Sequence, residues 1–162
     1  MSLLSFCEWL QQTSVSTNIR ESTLTFPIII AIHVMGTATA VGTILALDLR
    51  LLGWGMRRFP VSVIFNELRP WSMIGFAVQT VSGLLLFWSE PMKCYKATSF
   101  WIKMIAMILA FLNAFIFDKT LFPKVAAWDT SIVTPVRARF AGWASLALWS
   151  TVIFTGRWTA YF

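Results

Sequence analysis

From Phe26 to Leu47 the chain carries no formal charge, and three more apolar runs follow at about Trp71–Trp88, Trp101–Phe117 and Phe140–Trp158. A helix needs roughly 20 residues to cross about 30 Å of hydrocarbon. Inside lipid only a helix or a closed barrel satisfies its own backbone polar groups. The four runs therefore predict four helical crossings. Tryptophan flanks the second and third runs, as at a membrane interface. Pro27 and Pro70 are expected to open the first and second helices, while Pro91 and Pro123 follow the second and third. Short connections between such crossings give an all-α, up-down bundle of four transmembrane helices.

Composition agrees. Of 162 residues 57% are hydrophobic and 12% charged, where soluble domains carry about 25% charge. The whole of residues 1–162 reads as a single integral membrane domain in contact with the lipid bilayer. The net charge of +6 comes from cations at the ends of apolar runs, not from a basic stripe, which argues against nucleic acid.

The first twenty residues lack a basic n-region, and Ser5 and Glu8 interrupt their apolar stretch, so they do not form a signal peptide. Leu3, Leu4, Cys7 and Leu10 instead define one face of an amphipathic helix lying at the membrane surface, with Trp9 in the headgroup layer. Orientation follows from the cations. Arg50, Arg57, Arg58, Arg69, Lys119, Lys124, Arg137 and Arg139 fall on one side, eight against five on the other. The positive-inside rule places both termini outside the cytoplasm.

Gly36 with Ala40, and Ala38 with Gly42, form small-xxx-small pairs interleaved with Thr37, Thr39 and Thr43. Such a face serves helix packing, or admits a flat cofactor or a second protomer. Gln79 lies mid-membrane and needs a polar partner, for which Asn113 is the candidate. No carboxylate occupies the middle third of a run, which argues against a proton relay or cation pump. Asp48, Arg50, Asp118, Lys119, Arg137 and Arg139 suggest an ion-pair network at one end, or an anion or lipid-headgroup site.

The stretches "HVMGTATAVGTILALDLRLLG", "RPWSMIGFAVQTVSGLLLFWSEP" and "ARFAGWASLALWSTVIFTGRWTAY" resemble a family of small bacterial inner-membrane proteins classed as a domain of unknown function. Its landmarks match His33, Gly36, Gly42, Asp48, Leu49, Arg50, Pro70, Trp71, Gly83 and Phe87, then Lys103, Asn113, Ser145, Trp149, Gly156 and Arg157. Many of its members place a histidine where this chain has Asp118. More loosely, the histidine followed by glycine and small residues is similar to copper-resistance membrane proteins and four-helix b-type cytochromes. The resemblance implies the four-helix fold and a bacterial inner-membrane location with periplasmic termini. It names no activity.

His33 is the only histidine. It lies seven residues beyond Phe26, roughly 10 Å into the membrane, where an unpartnered imidazole is costly. Ser82, Met107 and Trp149 fall at comparable depth. Three readings compete. The imidazole is structural and hydrogen-bonded to a carbonyl, serine or threonine. Or it ligates haem b, with Gly36 leaving room for the porphyrin, Trp149 packing it, and Met107, Met35 or the His33 of a second protomer as axial partner. Or it binds copper together with Met107. No nucleophile triad, paired carboxylates or phosphate loop stands out, so an enzyme acting alone is not expected. The candidate roles are an electron-transfer subunit with a redox partner and a non-catalytic accessory subunit, as a homo-oligomer in either case. Cys7 and Cys94 fall on the same expected side, where they could form a disulfide. Alternatively Cys7 is a small hydrophobe and Cys94 a soft metal ligand.

Overall fold

The computed structural model describes every residue except Met1, Ile132, Ala160 and Phe162. Its elements are α1 (Leu3–Gln11), α2 (Ser14–Glu21), α3 (Thr25–Leu52), α4 (Val61–Ser89), α5 (Pro91–Lys96), α6 (Thr98–Ile116) and α7 (Val136–Thr159). A π-helical turn, Phe117–Leu121, and a 3-10 turn, Phe122–Ala127, extend α6. Three helices, Thr25–Leu52, Val61–Ser89 and Thr98–Ala127, are long and apolar enough to cross a membrane. α7, with 24 residues, is long enough but carries Arg137, Arg139 and Arg157 and is not among them.

The long helices run antiparallel in sequence order. Along α3 and α4, His33 meets Ser82, Gly36 meets Val78 and Ala40 meets Gly75. Along α6 and α7, Lys103 meets Gly156 and Asn113 meets Ala141. α7 also lies against α3, with Gly142 beside Leu51. One apolar cluster joins Leu51, Val61, Phe117, Ala138 and Ala141, and a second joins Ala106, Ala110, Trp149 and Val152.

Pro70, expected to open the second helix, lies inside α4, which starts at Val61. The true start is held from far away. The Asp129 carboxylate accepts from the Ser62 backbone N–H at 2.7 Å and from its hydroxyl at 2.5 Å, and the Asp129 carbonyl accepts from Val61 N–H. These are the orphan donors that any helix start must satisfy. α3 ends at Gly53, whose φ of 74° suits glycine, with its N–H returning to Arg50 and that of Trp54 to Leu49.

The N-terminal segment forms two helices where one was expected. Thr13 caps the second through Ser16 N–H. On α1 only Cys7 and Leu10 of the expected apolar face are buried, against α5, while Leu3 and Leu4 are exposed. Ser16 and Arg20 of α2 donate to the carbonyl of Ser89, an orphan acceptor at the end of α4. Cys7 and Cys94 are both free thiols. Burial pushes the Cys94 thiol up to about 11.

Candidate functional site

His33 projects from α3 into the seam with α4. Its Nδ1 is 2.9 Å from Ser82 Oγ and its Nε2 is 2.9 Å from Gln79 Nε2. Ser82 already donates its single hydroxyl proton to the Val78 carbonyl at 2.6 Å. Nδ1–H therefore donates to Ser82, and Nε2 accepts from the Gln79 amide. Both ring nitrogens are thus engaged by α4 side chains. The Thr37 hydroxyl shares its proton between the Gln79 side-chain carbonyl at 2.7 Å and the His33 backbone carbonyl at 2.8 Å, which closes the cluster back onto α3. A Cβ added to Gly83 would stand 3.2 Å from His33 Cε1, so this glycine makes room for the ring. Gln79, expected to meet Asn113, turns to α3 because α4 presents that face to α3. Asn113 donates instead to the Ala141 carbonyl at 3.0 Å.

Gly36 is also consumed in this seam. A Cβ there would lie 3.0 Å from Val78 Cγ1 and 3.1 Å from Gln79 N. Gly36 and Ala40 are buried against α4, so a porphyrin or a second protomer would have to meet a different face. Met107 packs elsewhere, onto the α6–α7 cluster of Ala106, Ala110, Trp149 and Val152. The four candidate cofactor residues thus divide into a seam pair, His33 and Gly36, and a cluster pair, Met107 and Trp149.

On its other flank α4 stands away from α6. Side chains bridge the gap: Phe87 stacks on Phe100, Phe76 meets Phe111 at 5.0 Å between ring centroids, and Arg69 reaches Asp118 at 3.8 Å. Between the last two bridges lies a cleft of about 470 Å³. Its walls are mostly apolar, and Trp149 forms part of them. Its polar lining comprises Thr43, Asp48, Ser72, Asn113 and Ser145, with Arg69 and Asp118.

The expected ion-pair network at this end takes another form. Arg50, 1% exposed, donates from Nε to the Phe59 carbonyl at 2.9 Å and from Nη2 to the carbonyls of Asp129 and Ser131. It clamps the α3–α4 turn to the segment before α7. Asp48 is left without it. That residue is 5% exposed, and its carboxyl lines the cleft with Ser145. Sequence reading placed Asp48 in a network because charges one turn apart or closer suggest pairing. Its burial in a cleft had no local signal.

Residues 6–162 match a family of unknown function, DUF6644, and the chain belongs to it. No curated protein and no solved structure matches the chain.

Proposed function

We propose that this is a four-span protein of a bacterial inner membrane, with periplasmic termini, acting as a non-redox accessory subunit in which His33 locks two helices together. The carrying observation is that both imidazole nitrogens are engaged by α4. A haem or copper ion at Nε2 would have to displace Gln79, and at Nδ1 both Ser82 and a proton. The groove beside Gly36 that would receive a porphyrin is filled by Val78 and Gln79. These residues do not fit haem b. The looser likeness to copper-resistance proteins and b-type cytochromes calls for a ligand nitrogen that this seam does not leave free.

The fourth crossing is supported by α7 running beside α6 from Gly156 at Lys103 to Ala141 at Asn113. A helix paired along that length with a membrane-crossing one shares its depth. The orientation rests on the eight-to-five cation split. α1, with Trp9 exposed, would rest at the interface over the end where α4 closes.

The test is a spectrum. Protein expressed with ample haem and copper, then purified in mild detergent, should show no Soret band and no stoichiometric copper. A Soret band that disappears in His33→Ala would overturn the reading.

A further inference from the structure

We propose that the cleft between α4 and α6 binds a lipophilic cation, with Asp48 as its counter-charge. The idea goes beyond the accessory role above and uses none of the His33 seam.

Asp48 is the reason for a cation. It lines the cleft, is almost wholly buried and, among the described residues, forms no ion pair. The two cations that could serve it are engaged elsewhere. Arg50 is turned onto three carbonyls, and Arg69 is bridged to Asp118 and lies over the Phe65 ring. The charged lining is thus two carboxylates against one guanidinium. A buried carboxyl with no cation beside it is costly to keep ionised, and a cation in the cleft favours its ionised form. A cation entering the cleft supplies the missing charge.

The remaining walls select an apolar body for that cation. The volume of about 470 Å³ falls within the range of about 300–1,000 Å³ typical of small-molecule sites. Phe76, Phe111 and Trp149 contribute aromatic surface, which attracts cations through the ring quadrupole. A neutral acyl chain would satisfy the apolar wall but leave Asp48 uncompensated. The cleft is only partly enclosed by α3, α4, α6 and α7, so such a molecule has a way in. The π-helical turn that follows α6 holds Asp118 at this mouth, and such turns often mark functional positions.

Equilibrium dialysis of radiolabelled tetraphenylphosphonium against full-length protein in phosphatidylcholine nanodiscs tests the site, with empty discs as reference. We expect saturable one-to-one binding, weakened at least tenfold in Asp48→Asn and retained in part by Asp48→Glu. Tetraphenylborate, of the same shape and opposite charge, should show no saturable uptake beyond empty discs. Ala114→Trp fills the cleft from the α6 wall without touching the carboxyl, and should also lose binding. It decides the matter if Asp48→Asn does not fold. Uptake equal to that of empty discs, or saturable uptake insensitive to both variants, overturns the proposal. A visible spectrum of the same samples tests the redox question separately.

Discussion

The two flanks of α4 obey opposite packing rules. Toward α3, Gly75 and Ala40 bring the backbones so close that a Cβ on Gly75 would stand 2.6 Å from Ala40 N. Toward α6, rings and a long ion pair hold the helices apart around a cleft. In lipid no hydrophobic force drives helices together, so close approach requires small residues and polar cross-links. α4 has both on one side. On the other it presents Phe65, Phe76 and Phe87, which set a wider spacing. One flank is a fixture, and the other is a recess.

The strongest way to break this contrast is Gly75→Leu. Overpacking a filled site costs about 1–3 kcal/mol. Here the atoms met are Ala40 backbone, which cannot rotate away. Separating α3 from α4 would also stretch the His33–Ser82 and His33–Gln79 bonds, each 2.9 Å. We expect a loss of about 3 kcal/mol in SDS-driven unfolding of the reconstituted protein, or failure to recover folded material. Near-native stability would show that the seam is looser than described.

The long helices were legible because apolar runs of that length favour a backbone that hydrogen-bonds to itself. The four apolar runs fall along α3, α4, α6 and α7, of which the first three are long and apolar enough to cross a membrane. The ends were less legible. Pro70 lacks an N–H and reads as a helix start, yet α4 begins nine residues earlier because Asp129, 67 positions away in sequence, caps it. A cap supplied across the fold leaves no trace beside the helix it serves. The same holds for partners. Small-xxx-small spacing announced a close approach at Gly36 and Ala40, but nothing in the spacing says that α4 is the approaching helix. Depth counting put Ser82 level with His33, and Ser82 bonds it. Gln79 was paired with the wrong helix because rotation about a helix axis is not encoded in depth. Asp48 reads as part of an ion-pair network at one helix end because Arg50 is close in sequence, although Arg50 points to Phe59, Asp129 and Ser131.

Ser82→Ala probes the polar half of the seam and should have a smaller effect. It leaves Nδ1–H of His33 facing a methyl group, while Gln79 keeps Nε2. An orphaned buried donor costs about 1–3 kcal/mol in soluble proteins. Hydrogen bonds between membrane helices average nearer about 0.6 kcal/mol, with a maximum of about 1.7. On the proposed membrane placement the lower value applies, because the separated helices also find partners. We expect about 1 kcal/mol by the same unfolding assay. A loss well above 2 kcal/mol would mean that the cluster organises more than one helix pair. No loss would mean that the ring has another acceptor within reach.

The smallest effect should come from the same enlargement made on the opposite flank. Ala114→Leu adds a side chain to α6 where Ala114 lines the cleft and is exposed. Leucine and alanine are both strong helix formers, so the backbone cost is slight. The added isobutyl group enters space that α4 leaves open and displaces no backbone. Stability should change by no more than about 0.5 kcal/mol, as for substitutions away from packed features. Set beside Gly75→Leu, the pair measures the asymmetry directly, since each variant adds a leucine facing a neighbouring helix. A loss of about 2 kcal/mol or more in Ala114→Leu would mean that α4 and α6 close on each other in the bilayer. The recess would then be a second seam, and Asp48 would be sealed inside it.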